Sequence, residues 1–420
     1  MKYKITGISF SDAAHIIGGG TPKRSEPTYW NGSIPWLSVK DFNNDYRTVT
    51  RSSEFITELG LKNSSTKLLE KGDIIISARG TVGKLGQVDK PMAFNQSCFG
   101  IRGKKDIAVN DYLYYWLKYN IESLKKNTNG SVFDTINKAT FDSLKINLPN
   151  IQVQNKISGV LLTFDEKIEM NLKLISILEE LSHSLFKHWF IDFYFPNEQG
   201  LPYKSNGGKM RDSELGEIPE GWKVQNLVDI CEVKDGTHDS PKQVEEGYPL
   251  VTSKHLGKNS IDFATTKLIS LEDYKKVNKR SLVERNDILI SMIGTVGRLY
   301  LVQDKTIDFA IKNIGLIKTS QIVDYEFIYC YLQSESMKAH IEERMAGSTQ
   351  QYISLTELRK IPVLMPTKEA LKQFKDKLNY LFDKVYSLTQ EIHLLEDLSN
   401  SLLPKLLLGE IDIPDESVVD

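Results

Sequence analysis

Two long stretches of the sequence space their apolar residues three or four positions apart, as one face of an α-helix does. One stretch follows Pro149 and the other follows Pro366. A seam of this kind is typical of a long helix that packs against another helix. The predicted seam positions are Ile168, Leu172, Ile175, Leu178, Leu181 and Leu185 in the first stretch, and Val385, Leu388, Ile392, Leu395, Leu398 and Leu402 in the second.

The obvious partner for each helix is the other one. Each seam is longer than a small domain needs to cover its own core. We therefore expect the two helices to pair antiparallel, which would put the globular units that precede them at opposite ends. The alternative, in which each helix packs onto its own globular unit, accounts less well for the length of the seam and for its double occurrence.

Short runs of strand-forming residues lie between the helical stretches. "DIIIS" at Asp73, "KLGQV" at Lys84, "DILIS" at Asp287 and "RLYLV" at Arg298 are bounded by glycine and asparagine. This pattern favours a mixed or mainly antiparallel sheet. The run "DYLYYWLKYNIESLKK" at Asp111 predicts a helix packed on that sheet.

The two halves of the chain repeat each other. "ISARGTVGKLGQVDK" starts at Ile76 and "ISMIGTVGRLYLVQDK" starts at Ile290, a shift of 290 − 76 = 214 residues. The same shift relates "IPWLSVKDF" at Ile34 to "YPLVTSKHL" at Tyr248. A period of this size indicates a duplicated domain rather than a solenoid repeat.

The repeat continues towards both ends of each half with small changes of register. Gly20 and Thr21 of "GGGTP" match Gly236 and Thr237 of "KDGTH", which predicts that the two loops are equivalent. Farther along, "LEELSHSL" matches "LEDLSNSL" with a shift of 395 − 178 = 217 residues. Small loop insertions account for the difference.

The pattern predicts an α+β chain, a tandem duplication of a globular mixed-sheet α/β domain plus a long helix. The two helices would pair as an antiparallel coiled coil with pseudo-twofold symmetry. The predicted segments are a first globular domain at 1–150, a first helical spacer at 151–195, a linker at 196–221, a second globular domain at 222–366, a second helical spacer at 367–410 and an acidic tail at 411–420.

Length and composition agree with two intracellular domains. A chain of 420 residues is longer than one hydrophobic core usually supports. The sequence contains no apolar run long enough to cross a bilayer and no signal peptide, so we expect a cytoplasmic protein without membrane contact. Cys98, Cys231 and Cys330 lack the spacing of a disulfide framework or a zinc site and are predicted as buried thiols.

Charge is unevenly distributed along the chain. The formal net charge is −2, but residues 1–150 hold 21 Lys and Arg against 14 Asp and Glu. Residues 222–366 balance at 19 against 19, and residues 367–420 hold 6 against 11. A basic first domain suits a polyanionic partner. On charge alone, a solvated lysine-rich surface accounts for the excess equally well.

Known catalytic motifs do not fit the sequence. "GTVGK" is not a phosphate-binding loop, because Ala78 replaces the first glycine and Leu85 replaces the Ser or Thr after the lysine. "NLPN" has Leu148 where a methyltransferase motif has proline. His183 and His188 lack the glutamate context of a helical zinc site. We therefore predict no catalytic residue and no metal site on this chain.

The "GTVG" stretch is better explained as a turn between two strands. Gly80 and Gly83 permit positive φ and leave the backbone exposed. The turn is first a determinant of the fold. Its side chains Arg79, Thr81 and Lys84 are also placed to face a ligand.

The chain resembles the specificity subunits of type I restriction-modification enzymes over essentially its whole length. The resemblance rests on "GTVGK" or "GTVGR" in each half, "HWFIDF" at 188–193, "LGEIPEGWKV" at 215–224 and "LLPKLLLGEI" at 402–411. The first half opens with "YKITGIS" and has no "GEIPEGW" of its own, so the first domain departs from the family pattern at its start.

This resemblance implies two target recognition domains, separated by helical regions that form an antiparallel coiled coil, and a bipartite asymmetric site in double-stranded DNA. It also implies two modification subunits docked on the helices and restriction subunits that join the complex. Adenine methylation and cleavage, with S-adenosylmethionine, ATP and Mg²⁺, would belong to those partners, and no cofactor is expected on this chain. The alternative is a duplicated, non-catalytic protein-interaction adaptor that does not read DNA.

Polar and cationic residues in the repeated turns are the candidate DNA contacts, because such side chains bind phosphates and base edges. For each of them, an exposed polar residue of a turn is an equally good interpretation. The candidates are Thr21, Lys23, Lys40, Arg79, Thr81, Lys84, Asn95 and Ser131 in the first domain, and Thr237, Lys254, Thr295, Arg298, Lys312, Asn313 and Ser348 in the second.

Overall fold

The contacts of a computed structural model divide the chain into two compact units. The first unit is Met1–Asn171 with Ile392–Asp420, and the second is Leu172–Glu391. The structure describes residues 6–42, 46–126, 135–322, 324–347, 350–411 and 413. Within these ranges, no helix combines the length and the apolar character that a membrane crossing requires.

The first unit combines short strands with four helices and the start of a fifth. Its strands are β1 (Thr6–Ser9), β2 (Ala14–Gly18), β3 (Trp30–Leu37), β4 (Thr48–Val49), β5 (Glu54–Ile56), β6 (Leu68–Leu69), β7 (Ile74–Ser77), β8 (Leu85–Val88), β9 (Met92–Phe94), β10 (Cys98–Gly103) and β11 (Lys145–Leu148). Its helices are α1 (Phe10–Ala13), α2 (Glu58–Lys62), α3 (Asn110–Lys126), α4 (Lys138–Ser143) and the first part of α5 (Ile151–Phe186).

The strands of the first unit form two main sheets. One has the order β2-β10-β7-β8-β4, the other has the order β5-β3-β9-β6, and β1 pairs separately with β11. The pairs β3·β9 and β4·β8 are parallel, and the other pairs of this unit are antiparallel. The predicted mixed, mainly antiparallel sheet is confirmed.

The second unit repeats this plan. Its strands are β12 (Met210–Ser213), β13 (Gly216–Pro219), β14 (Lys223–Asn226), β15 (Val233–Asp235), β16 (Tyr248–Thr252), β17 (Lys267–Ile269), β18 (Ile288–Ser291), β19 (Leu299–Leu301), β20 (Ala310–Lys312), β21 (Ile314–Ile317) and β22 (Pro362–Met365). Its helices are α6 (Leu227–Ile230), α7 (Leu271–Ser281), α8 (Tyr325–Gln333), α9 (Glu335–Glu343), α10 (Leu355–Arg359) and most of α11 (Lys368–Leu407).

Equivalent strands pair in the same way in both units. The order β15-β21-β18-β19 corresponds to β2-β10-β7-β8, and the order β17-β16-β20 corresponds to β5-β3-β9. Among the described strands of the second unit, the parallel pair β16·β20 matches β3·β9. Likewise β14·β22 matches β1·β11. The tandem duplication predicted from the sequence is therefore present in the fold.

In the first unit, the long helices contribute to one core. Ile157 and Leu161 of α5 share a hydrophobic cluster with Leu403 and Leu406 of α11 and with the inner face of α3. Farther along α5, Ile168 and Glu169 line the same pocket as Glu396 and Ser399 of α11, so numbers fall on α11 as they rise on α5 and the two segments run antiparallel. Tyr115 on α3 donates a hydrogen bond to Asp165 on α5 at 2.7 Å.

In the second unit, an aromatic cluster joins the end of α5 to the start of α11. A π-helical turn (Lys187–Ile191) continues α5. The ring of Phe190 lies 4.6 Å from that of Phe374 on α11, and the ring of Trp189 lies 5.7 Å from it. Lys258 forms an ion pair with Glu179 on α5 at 2.6 Å, which fastens the globular part of this unit to the helix.

Most of the predicted seam is shielded from solvent. The buried positions are Ile168, Ile175, Leu388 and Ile392, and the half-buried ones are Leu172, Leu178, Leu185, Val385, Leu395 and Leu402. Leu181 and Leu398 are 52% and 42% exposed, so the prediction is corrected at these two positions.

Serines replace the two exposed leucines in the seam. Ser182 and Ser399 are buried. Ser182 lies seven residues after Ile175, which itself lies seven after Ile168, so the seam keeps a heptad register. The Ser182 hydroxyl donates to the carbonyl of Leu178 at 2.9 Å, which satisfies it without a partner on another helix. A seam predicted from apolar residues alone includes Leu181 and Leu398, which lie one position before the buried serines.

Residues 196–221, predicted as a linker, have a defined fold. β12 and β13 form an antiparallel hairpin. The ring of Tyr203 stacks on that of Phe195 at 4.6 Å, and Ile218 and Trp222 are buried in the aromatic cluster. The segment connects the halves, but burial of these apolar side chains fixes its path.

The three cysteines are buried free thiols, as predicted. Burial raises the pKa of Cys98 and of Cys231 to about 12, and it also raises that of Cys330. These thiols therefore stay protonated and unreactive at neutral pH.

Glu326 on α8 is a carboxyl group in an apolar setting. It is 1% exposed, and neither oxygen makes a hydrogen bond of ordinary geometry to the described residues. Burial raises its pKa above the usual 4.5, and Lys375 on α11 offsets part of that effect. The folded state therefore keeps the proton at pH values where the unfolded chain has lost it.

We expect Glu326→Gln to stabilise the protein at pH 8. Because the folded-state pKa is raised, folding stability falls as pH rises above the unfolded value. Removing the charge should increase the free energy of unfolding by about 1–3 kcal/mol at pH 8 and by less at pH 5. Urea unfolding followed by tryptophan fluorescence measures both values. The exposed Glu198→Gln is the control, and a loss of stability at pH 8 in Glu326→Gln would contradict the expectation.

Candidate nucleic-acid interface

The "GTVG" stretches are tight turns between paired strands, as predicted. One connects β7 to β8 and the other connects β18 to β19, and both strand pairs are antiparallel. The glycines have positive φ, 75° at Gly80 and 85° at Gly83, with 80° at Gly294 and 86° at Gly297. A side chain at these positions would strain the backbone.

A buried serine holds each turn from inside. The Ser77 hydroxyl donates to the carbonyl of Thr81 and accepts the backbone N–H of Lys84 at 2.8 Å. Ser291 makes the same two bonds in the second unit, to the carbonyl of Thr295 and from the N–H of Arg298. One hydroxyl thus satisfies two backbone groups that the strand ladder leaves unpaired.

The side chains of these turns point to solvent. Arg79, Thr81 and Lys84 are exposed in the first unit, and Thr295 and Arg298 are exposed in the second. The Arg298 guanidinium donates to the carbonyl of Leu256 at 3.2 Å, which limits its motion. The serine bonds therefore fix the backbone and leave the side chains available to a ligand.

A second pair of exposed cations lies on equivalent 3-10 turns. Lys40 is carried by the turn Val39–Asp41 and Lys254 by the turn Ser253–His255. The Asp41 carboxylate caps the first turn by accepting the N–H of Ser38 at 2.7 Å.

In the second unit, a histidine takes the place of that aspartate. Nδ1 of His255 accepts the N–H of Thr252 at 2.9 Å. Burial lowers the pKa of His255, and Lys254 lowers it further, so the ring stays neutral and able to accept. The two 3-10 turns therefore have the same backbone shape. The capping side chain is a carboxylate beside Lys40 and an imidazole beside Lys254.

A third turn follows the parallel strand pair in each unit. It begins at Asn95 after β9 in the first unit, and at Lys312, the last residue of β20, and Asn313 in the second. The N–H of Asn95 donates to the carbonyl of Leu37 at 2.9 Å. Asn313 has a φ of 53°, in the left-handed region that asparagine tolerates better than most residues.

The loops after β2 and β15 differ from the predicted register by one residue. The N–H of Gly20 donates to the carbonyl of Phe94 at 2.9 Å, and the N–H of Thr237 donates to that of Ile311 at 3.0 Å. Phe94 and Ile311 occupy the same place on β9 and β20, since each pairs in parallel with the equivalent residue of β3 or β16. Thr237 is therefore the counterpart of Gly20.

The counterpart of Thr21 is consequently His238, and the predicted match of Thr21 with Thr237 is wrong. The three consecutive glycines of "GGGTP" allow the sequence to be matched in either register. The side chains agree with the corrected register. Thr21 bonds to Gln96, and His238 bonds to Asn313 at 2.9 Å.

Hydrogen bonds gather these turns together in each unit. In the first, Gln96 contacts Thr21, while the N–H of Ala78, which leads into the "GTVG" turn, donates to the carbonyl of Ser97 at 2.8 Å. In the second, the Ser253 hydroxyl donates to the carbonyl of Asn313 at 3.1 Å. The turn that follows β9 or β20 is thus bonded to loops from other parts of the same unit.

Not every predicted contact residue can be placed. Ser131 and Ser348 lie outside the described residues. Lys23 is exposed on the loop after β2. The ammonium group of Lys40 lies 3.9 Å from the carboxylate of Glu54.

Sequence reasoning missed several side chains of these loops. Arg24 places its guanidinium 3.8 Å from the ring centre of Trp30 and pairs with Glu54, whose pKa the hydrogen bond lowers. Gln96 and His238 were also missed. Both adjoin predicted residues, so treating the turns as whole segments finds them.

The gathered groups are cations, hydroxyls and carboxamides. Such groups bind phosphate oxygens and hydrogen-bond to base edges. In the described part of each unit, no cluster of three or more His, Cys, Asp or Glu side chains is arranged to hold a metal ion. The site is therefore suited to recognition of a polyanion with polar edges.

Comparison with known proteins identifies the family. The family described as "Type I restriction modification DNA specificity domain" matches residues 7–180 and again residues 219–397. The chain belongs to this family.

Curated relatives carry the same description. The type I restriction enzyme MjaIX specificity subunit of Methanocaldococcus jannaschii is 31% identical over 414 residues, covering 96% of this chain and 92% of the relative. The type I restriction enzyme HindI specificity subunit of Haemophilus influenzae is 23% identical over 413 residues, covering 84% and 89%.

A solved structure shows a similar fold. The S subunit of a type I restriction-modification system from M. genitalium has a TM-score of 0.54 and 17% identity, covering 99% of this chain and 97% of that one. Specificity subunits of this family are non-catalytic and work in complexes with separate modification and restriction subunits, which carry the catalysis.

We expect Ser77→Ala and Ser291→Ala to destabilise their units to a similar extent. Each substitution leaves two partly buried backbone groups without their partner, which costs about 1–3 kcal/mol. Chemical unfolding measures the change. Ser33→Ala, at an exposed position of β3, is the control and should shift stability by no more than about 0.5 kcal/mol. Equal stabilities of the three variants would show that the hydroxyls do not hold the turns.

Proposed function

We propose that this chain is the DNA-reading subunit of a type I restriction-modification complex and that each unit reads one half of a bipartite, asymmetric site. The observation that carries the proposal is the pair of matched turn clusters, built on one backbone plan and bearing different side chains. Family membership supports it.

Phosphate contacts come from the exposed cations on the rigid turns. Arg79 and Lys84 in the first unit, and Lys254 and Arg298 in the second, are held on backbones that hydrogen bonds fix. Cations on fixed turns set the register of a protein on the duplex without reading sequence. They also supply the salt-dependent part of the affinity.

Base contacts come from hydroxyls and amides, which distinguish base edges in the major groove. Thr21 and Asn95 belong to this group in the first unit, and Thr237 and Asn313 belong to it in the second. The two clusters differ in chemistry, since His238 replaces Thr21. Different side chains on one scaffold predict different half-site sequences, and hence an asymmetric site.

The predicted segments acquire roles in this proposal. Residues 1–150 and 222–366 are the target recognition domains. Residues 151–195 and 367–410 are the helical spacers, whose length sets the gap between the half-sites. The protein acts on DNA in the cytoplasm.

Two modification subunits bind the helices at matched apolar pairs. On α5, Ile177 and Leu181 are 60% and 52% exposed, and on α11, Leu394 and Leu398 are 59% and 42% exposed. The members of each pair are one helical turn apart, so they form one patch. Because each pair occupies the same place in its half of the repeat, the patches suit two copies of one partner. The methyl donor and ATP are bound by the partners.

Methylome sequencing tests the proposed function. Cells that carry this chain with its modification subunit should methylate adenine in one bipartite motif, and deletion of this chain should abolish that methylation. Gel shifts of the purified chain and modification subunit with random duplex DNA provide a second measurement. Assembly without any DNA-dependent complex would instead support a protein-interaction adaptor.

Exchanging residues 1–150 for the first domain of another family member should alter one half of the methylated motif. The other half and the gap should stay the same, because the second turn cluster is built within its own unit. A matched insertion in both helices should alter the gap alone. Methylome sequencing gives all three readouts, and a change in both half-sites after the exchange would refute independent reading.

Replacing either apolar pair by serine should remove one modification subunit. Ile177→Ser with Leu181→Ser, or Leu394→Ser with Leu398→Ser, should weaken one binding step about tenfold or more. Native mass spectrometry counts the bound subunits.

Met170→Ser and Tyr380→Ser serve as controls for this experiment. Both residues are exposed and apolar, but neither has an apolar counterpart in the other half of the repeat. Two bound subunits in both double variants, or equal losses in the controls, would contradict the assignment.

A further inference from the structure

A carboxamide occupies the same place in both units. Gln96 follows β9 by two residues, and Asn313 directly follows β20. The parallel pairs Leu37 with Phe94 and Val251 with Ile311 are equivalent, and Gln96 and Asn313 each lie two residues after the second member of their pair. Both side chains lie at the centre of the turn clusters and are accessible to solvent.

In the first unit, a hydroxyl fixes the orientation of the amide. Thr21 donates a hydrogen bond from Oγ1 to Oε1 of Gln96. This bond distinguishes the two ends of the carboxamide, because the hydroxyl approaches the oxygen and not the nitrogen. The side chain of Gln96 is exposed apart from this bond.

In the second unit, the imidazole of His238 contacts the amide of Asn313. The ring of His238 lies between two oxygens, 2.9 Å from Oδ1 of Asn313 and 2.8 Å from Oδ2 of Asp235. Arg280 binds the other oxygen of Asp235, which is 4% exposed. Arg280 thus holds the Asp235 carboxylate, and this carboxylate holds the ring of His238. The ring in turn holds the amide of Asn313.

The two arrangements give the same chemical result with different side chains. One lone pair of the amide oxygen is taken by the preceding loop, and the second lone pair stays available. Within the described residues, neither Nε2 of Gln96 nor Nδ2 of Asn313 makes a hydrogen bond. Each amide therefore presents a donor and an acceptor to a ligand. In Asn313 this orientation holds while both ring nitrogens of His238 carry hydrogen, because Nε2 faces the Asp235 carboxylate and Nδ1 faces the amide oxygen.

We propose that Gln96 and Asn313 are the matched base-reading residues of the two domains, each recognising an adenine edge, with Thr21 and His238 as positioning residues. This rests on the proposed function. A carboxamide donates to adenine N7 and accepts from its N6 amino group, the one base edge in the major groove with this order of acceptor and donor. Fixing the amide beforehand reduces the entropy lost on binding.

The test uses the complete complex with its modification subunits and methylome sequencing. In the wild-type motif, each half-site should contain a required A·T pair. Gln96→Ala should weaken this requirement in one half-site, and Asn313→Ala should weaken it in the other. Discrimination at that one position should fall by about tenfold to a hundredfold. The other half-site and the gap should not change. Gln152→Ala on α5 and Gln243→Ala in the second unit, both exposed carboxamides, should leave the motif intact.

The positioning role has its own readout. Thr21→Val removes the hydroxyl and should relax the position read by Gln96, whereas Thr21→Ser keeps the hydroxyl and should retain it. The thermal melting temperature should stay near the wild-type value in both variants, which separates the change in discrimination from a change in folding. If Thr21→Ser and Thr21→Val lose discrimination at this position to the same extent, Thr21 does not position Gln96.

The remaining outcomes separate the two proposals. A wild-type complex that methylates no bipartite motif would refute the proposed function. A bipartite motif that stays unchanged in Gln96→Ala and Asn313→Ala would refute the base-reading assignment alone. Relaxation at a G·C pair would overturn the assignment to adenine.

Discussion

Each unit depends on burying helical segments that come from distant parts of the chain. In the first unit, Ile157 and Leu161 share their core with Leu403 and Leu406. In the second, Phe190 packs on Phe374. Burial of apolar surface is the main favourable term in folding, so removing either segment opens the core of the unit. The recognition loops are independent in their chemistry, but the scaffolds that carry them cannot be separated from both helices.

On this scaffold, backbone geometry and side-chain chemistry are decoupled. Ser77 and Ser291 hold the same turn with the same two bonds, because the hydroxyl is enclosed and has no substitute of equal shape. Where side chains are accessible to solvent, the halves diverge: Thr21 in the first unit corresponds to His238 in the second. The enclosed positions keep the fold, and the exposed positions are free to acquire different specificities.

Much of this architecture was predictable from the sequence. The duplication, the glycine turns and the two long helices follow from repeated motifs and periodicity, which are local signals. The features that the sequence did not predict depend on packing between distant parts of the chain. Ser182 enters the seam because the heptad register requires a residue there and its hydroxyl bonds to its own helix. The hairpin before Trp222 lies within residues 196–221, which stay predicted as a linker, and the sequence does not show it because a polar composition hides a few buried residues. The equivalence of Thr21 and His238 emerges only from strand pairing, since the glycine run fits two registers.

The position of Leu403 and Leu406 also bears on how the protein is made. These residues belong to the core of the first unit, yet they lie on α11 and leave the ribosome after the strands of the second unit. During synthesis, the apolar face of the first unit therefore remains open until α11 has been made. Incomplete domains of this kind expose surface that aggregates or binds chaperones. A message that stops before α11 would thus yield a product whose first unit is incomplete, although every residue from 1 to 171 is present.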